Sequence, residues 1–139
     1  MTELPKVGLT HKITKTVTTE LTAEHFGNPG VAVFATPAMI ALLEETAIQC
    51  IEPSLSEGQG SVGTRIDVKH LAPTPVGLEV TGHAELVEVE GRRLIFKVEA
   101  YDEVELIASG SHERFIVNSM DKFLARAAEK GVDENANGS

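Results

Sequence analysis

Several kinds of site are excluded by what the chain has little of. It holds one cysteine, Cys50, among 139 residues. A single thiol closes no internal disulfide and builds neither a four-thiolate nor a Cys-rich zinc centre. Tryptophan is absent and aromatic residues make up only 4%, so a stacking platform for single-stranded nucleic acid is not expected. Basic residues are the minority charge. Lys plus Arg number 12 against 21 Asp plus Glu, a formal net charge of -9. That balance lacks the positive footprint that nucleic acid requires and that anionic lipid attracts. No apolar run approaches the ~20 residues of a membrane span, and residues 1–6 carry no apolar signal-peptide core. Gly-rich phosphate loops and internal repeats are missing. The expectation is a cytoplasmic protein with no nucleic-acid or membrane partner.

What is present suits one soluble domain. Hydrophobic residues make up 42% and charged residues 24%, enough apolar side chain to close a core. The domain is expected over residues 1–130, with the polar, Gly- and Asn-rich stretch 131–139 as a frayed tail.

The pattern reads as a sequence of elements. His11 to Leu21, rich in Thr, Val and Ile, reads as a strand. Gly27-Asn28-Pro29-Gly30 makes a loop. Ala35 to Ile51 reads as a helix of about four turns, with Thr36 as N-cap, Pro37 at the first helical position and Pro53 as the stop. It is apolar on most sides, so it should be buried, with surplus apolar surface for a second subunit. From Ser61 the period becomes two. Val62, Thr64, Ile66, Val68 and His70 share one face. Three further strands follow, with turns at Glu90-Gly91-Arg92 and Asp102-Glu103, and then a short surface helix from Met120 to Lys130. The expected order is strand, helix and a four-strand antiparallel meander, an α+β two-layer domain.

Three residues stand out chemically. Glu44 is ringed at i±3 and i±4 by Ile40, Ala41, Ala47 and Ile48. A carboxylate there is costly unless paired, and burial would raise its pKa toward base or nucleophile chemistry. The plainer alternative has Glu44 rimming the helix or pairing with a buried Arg. His70 closes the apolar face of its strand, either as a core histidine or as a proton carrier for a buried Glu. Thr36 is either a cap alone or a hydroxyl beside helix N-terminal amides, a corner suited to an oxyanion. Gly63 marks a bulge or the close approach of a ligand. Arg114 is either an anion contact or a surface ion pair. Thr36 and Glu44 lie roughly 12 Å and 80° apart on a regular helix, so a joint site requires an irregular helix start or two chains.

In order along the chain, Val33-Phe34-Ala35-Thr36, Glu44, Gly60-Ser61-Val62-Gly63-Thr64, His70, Pro75-Val76-Gly77-Leu78, Glu88-Val89-Glu90-Gly91-Arg92-Arg93-Leu94 and Gly110-Ser111-His112-Glu113-Arg114 resemble a hotdog-fold thioesterase of the fluoroacetyl-coenzyme A thioesterase family. The resemblance implies a curved antiparallel sheet wrapped around one long central helix, working as a homodimer, possibly of higher order, on a small-molecule acyl-CoA substrate. It implies a catalytic set at Thr36, Glu44 and His70 and substrate contacts at Gly63 and Arg114. No metal or other cofactor is implied, since CoA belongs to the substrate. The family's pair of gating phenylalanines meets only Phe26, out of register, within His25-Phe26-Gly27-Asn28-Pro29-Gly30. The expected activity is therefore hydrolysis of a short-chain acyl-CoA thioester without clear fluoroacetyl selectivity. The alternatives are a non-catalytic acyl-CoA sensing dimer on the same fold and, more remotely, a dehydratase or hydratase.

Overall fold

The computed structural model describes residues 4–138, with side chains over residues 4–131. The elements are β1 (Thr10–Thr16), α1 (Thr36–Ile51), β2 (Gly60–His70), β3 (Glu79–Glu90), β4 (Arg93–Tyr101), β5 (Leu106–Val117) and α2 (Met120–Gly138). The strands form one antiparallel sheet in the order β1-β3-β4-β5-β2.

Only β3, β4 and β5 form the expected meander, because β2 lies beyond β5 at the sheet edge. The reason is the segment 71–78. Leu71 N donates to Ile107 O, Phe34 N donates to Thr74 O, and Gly77 N donates to Val17 O. The connection therefore runs from the β5 side, past the start of α1, to the end of β1, and cannot close as a hairpin. β1 is also shorter than its composition suggests. It stops at Thr16, and Thr19–Leu21 forms a 3-10 turn closed by Leu21 N donating to Thr18 O. α2 continues past Lys130 to Gly138.

The apolar alternation of β3 and β4 places Val80, Ala84, Leu86, Leu94, Phe96, Val98 and Ala100 on the core face. α1 lays Met39, Leu42, Leu43, Ala47 and Ile51 against them. Burial of each large side chain stabilises the fold by ~1.5–3 kcal/mol. Gly82 of β3 lets the helix come close, since a Cβ there would stand 2.7 Å from Thr46 Oγ1 and 3.0 Å from Leu42 Cγ. The helix is not wholly buried. Ile48 is 40% exposed and Ala41 is exposed.

β2 carries an irregularity that decides the site. Gly63 pairs with Arg114 but Arg65 pairs with Glu113, so Thr64 is an extra residue, a β-bulge. A bulge reverses the alternation on one side of it. Ile66, Val68 and His70 share a face as the spacing predicts. On the other side of the bulge, Ser61 and Gly63 join that face, in place of Val62 and Thr64.

Candidate active site

Thr36 is the first residue of α1, and Ala35, with extended backbone (φ -76, ψ 144), is the N-cap. The expected side-chain cap is therefore absent. The Thr36 hydroxyl lies instead 2.8 Å from His70 Nδ1, where the end of β2 meets the start of α1. His70 Nε2 is buried with no hydrogen-bond partner among the described residues. Burial holds the imidazole below the usual histidine pKa. Thr36 and His70 line a cavity of about 360 Å³ with Asn28, Val31, Val33 and Leu71.

Glu44 points elsewhere. Two turns along α1, its Oε2 lies 3.7 Å from Arg114 Nη1. Its side chain is 40% exposed within the chain, so the apolar ring of helix neighbours does not seal it. The pairing with an arginine was one of the two plainer alternatives for this residue. Arg114, by contrast, is only 4% exposed, which rules out a surface ion pair. Each of its three nitrogens makes a hydrogen bond: Nε donates to Ser61 Oγ (2.9 Å), Nη2 to Ser61 O (3.0 Å) and Nη1 to His112 Nε2 (3.1 Å). Burial lowers the Arg114 pKa, and the Glu44 carboxylate opposes that shift.

Gly63 completes this cluster from β2. A Cβ built there would stand 2.8 Å from Glu44 Oε2, 3.2 Å from Arg114 Nη1 and 3.3 Å from His112 Cε1. Glu44, Gly63, Ile66 and His112 line a second cavity of about 290 Å³.

Within one chain the five singled-out residues thus form two groups. Thr36 and His70 make one; Glu44, Gly63 and Arg114 make the other. His112 and Ser61 belong to the second group, and sequence reasoning gave neither a role. The available signal was the alternation of Ser111-His112-Glu113-Arg114, which puts His112 and Arg114 on one face, together with the need of a buried guanidinium for acceptors. Among the described residues no group of three His, Cys, Asp or Glu is placed to hold a metal ion.

Residues 17–120 match the family model for the fluoroacetyl-CoA-specific thioesterase. A fluoroacetyl-CoA thioesterase from Streptantibioticus cattleyicolor is 48% identical over 98 residues, 70% of this chain and 70% of that protein. The solved structure of the fluoroacetyl-CoA thioesterase FlK superposes with a TM-score of 0.85 at 40% identity, covering 92% of this chain and 98% of that one. A hot-dog-like protein from Thermanaerovibrio acidaminovorans superposes with a TM-score of 0.81 at 30% identity, covering 89% and 91%.

Proposed function

The chain belongs to the fluoroacetyl-CoA-specific thioesterase family, and from that premise we propose that it hydrolyses short-chain acyl-CoA thioesters through Thr36, Glu44 and His70. It has the hotdog fold and is a thioester hydrolase acting on acyl-CoA. The acyl range, the residue roles and the assembly are the proposal. The observation that carries it is the Thr36–His70 contact of 2.8 Å in the lining of a cavity.

Glu44 acts in one of two balanced ways. Its carboxylate adds to the thioester carbon and the C–S bond breaks, leaving an anhydride that water hydrolyses. Alternatively it takes a proton from water as the water oxygen adds to that carbon, and the C–S bond then breaks. Both routes yield the free acid and CoA. His70 moves a proton, either by accepting one from the attacking water or by giving one to the leaving thiolate, and Thr36 positions the reacting carbonyl or carboxylate. Backbone amides at the positive end of α1 or at Gly63 stabilise the oxyanion. The chemistry needs no metal or other cofactor, and the protein acts in the cytoplasm.

Two chains supply each site. His70 and Gly63 lie seven residues apart on β2, roughly 20 Å, and Thr36 and Glu44 about 12 Å apart on α1. β2 is an edge strand of 11 residues, and a long open edge is a template for pairing. Antiparallel pairing of β2 with a second copy about Asp67, with Thr64 counted as the bulged residue, sets His70 of one chain opposite Gly63 of the other. Thr36 and His70 of one protomer then face Glu44, Gly63 and Arg114 of its partner.

The acyl range follows from the loop before α1. Phe26 is 52% exposed, edge-on to His25, and does not line the Thr36–His70 cavity. The aromatic residue that does line it is Phe34, a core side chain 2% exposed, and residues 25–30 hold no second phenylalanine to pair with Phe26 as a gate, so fluoroacetyl-CoA is hydrolysed without preference over other short acyl groups.

The test is free-thiol release from acetyl-, fluoroacetyl-, branched, aromatic and long-chain acyl-CoA by the wild type and by Glu44→Gln. Turnover on the short chains that collapses in the variant supports the reading. No turnover on any of them rejects it. Mixing Thr36→Ala with Glu44→Gln chains should restore about a quarter of wild-type activity. Half of the exchanged dimers are mixed, and each mixed dimer has one intact site of two. No recovery in an exchanging mixture rejects the shared site.

A further inference from the structure

We propose that His112 is a positioning residue for this reaction, acting as a neutral Nδ1–H imidazole that accepts a hydrogen bond from Arg114 and so fixes the guanidinium against Glu44. The inference rests on the hydrolase reading above and adds a residue to it.

The tautomer follows from the partners. His112 Nδ1 is 2.8 Å from Arg65 O. A carbonyl only accepts, so Nδ1 carries the hydrogen. Nε2 is 3.1 Å from Arg114 Nη1. A guanidinium only donates, so Nε2 offers its lone pair. One ring thus joins the residue just after the bulge to the guanidinium that meets Glu44. The ring is 2% exposed and packs 6.2 Å from Phe96 at 30°, so it has little freedom to turn.

The charges around the ring agree. Burial is the main influence holding its pKa below the usual histidine value, and the Arg114 charge adds to that. The Arg65 carbonyl, Glu44 and Glu113 act the other way. A proton on Nε2 would turn a donor toward another donor.

The geometry also explains why Arg114 cannot drift. Ser61 takes two of its nitrogens from β2, but both lie on one side of the fork. Nη1, the atom nearest Glu44 at 3.7 Å, is held among the described residues by one neutral acceptor, His112. Without that acceptor the guanidinium pivots on Ser61, and a misplacement of about 1 Å at a reacting group can cost on the order of a hundredfold in rate.

Two substitutions separate positioning from packing. In His112→Gln the amide oxygen reaches the Nε2 position and keeps the acceptor for Arg114. In His112→Asn the amide nitrogen keeps the bond to Arg65 O and loses the acceptor. Asn should lower kcat by on the order of tenfold or more with KM changed less than about twofold, and Gln should recover most of that loss. Equal falls in the two variants, or an Asn variant with wild-type kcat, overturn the proposal. Should His112→Asn not fold, long-range 1H–15N spectra of the wild-type imidazole decide. A neutral Nδ1–H ring on His112 at pH 7 supports the proposal, and an Nε2–H or doubly protonated ring overturns it. That spectrum does not depend on turnover. A wild type that hydrolyses no thioester defeats the hydrolase reading while the tautomer is still determined.

Discussion

Thr36 Oγ1 lies 2.8 Å from His70 Nδ1, and this contact directs the hydroxyl away from the helix start that it would ordinarily cap. Thr36 is already inside α1, so its backbone geometry is helical and Ala35 fills the cap position. The Thr36 hydroxyl therefore makes no cap hydrogen bond and is committed to His70.

The first prediction follows from that separation. Loss of a true N-cap hydroxyl costs ~1 kcal/mol of stability. Thr36→Ala should cost less than that in a thermal melt, while acyl-CoA turnover falls by on the order of tenfold or more, because an active-site hydrogen bond is lost. Thr36→Ser should recover much of the turnover. A variant with lost stability and intact turnover would return Thr36 to a capping role.

Two glycines of the β2–β5 pair give a contrasting prediction. At Gly63 an added Cβ meets the far end of the Glu44 side chain first, at 2.8 Å. That side chain can swing, so Gly63→Ala should cost about 1 kcal/mol or less while displacing the carboxylate and lowering kcat by on the order of tenfold or more. At Gly110 an added Cβ meets the Asp67 carbonyl oxygen, and Val68 Cα at 2.6 Å. Backbone cannot swing, so Gly110→Ala should cost ~3 kcal/mol or more. Denaturant midpoints and kcat, measured side by side, check both.

These positions show what sequence could and could not reveal. The alternation of Leu94, Phe96, Val98 and Ala100 fixed a strand face, and Gly91 between two strands marked the hairpin. The helix from Thr36 to Ile51 was legible from Pro37 and Pro53. The bulge at Thr64 was not, because alternation through Val62 and Thr64 looks unbroken until the partner register is known. The edge position of β2 was equally hidden, since it depends on Phe34 and Val17 holding the 71–78 segment across the domain. Among site residues, Thr36, Glu44, His70, Gly63 and Arg114 were each visible as residue types. Their division into two groups was visible only in the Thr36–Glu44 helical offset.

Arg114 supplies the third prediction. Arg114→Met keeps most of the buried volume but leaves His112 Nε2 and Ser61 without their donors and Glu44 without its countercharge. An unsatisfied buried polar group costs ~1–3 kcal/mol, so the loss should be about 3 kcal/mol together with a collapse of turnover. Arg114→Lys should restore little of either. An ammonium has no planar fork with which to meet Ser61 and His112 together. Thermal melting and thiol release measured on both variants decide the point.

The fourth prediction concerns pH. Burial holds both His70 and His112 below the usual histidine value of 6.5. A group whose folded pKa is depressed binds fewer protons folded than unfolded, so stability rises with pH across the interval between the two values. For these histidines the stability is fully present above pH 6.5 and is lost as pH falls through the lower folded values. Melting temperature should therefore decline from pH 6.5 to 5, before most carboxylates titrate, and His112→Gln should flatten part of that decline because its amide takes up no proton. His70 Nδ1 faces a hydroxyl and Nε2 is buried, so protonation of His70 removes a proton acceptor from the site. The acid limb of kcat/KM should accordingly lie below pH 6.5 and persist in His112→Gln. An acid limb above pH 6.5, or one abolished by His112→Gln, would assign the titration to a group other than His70.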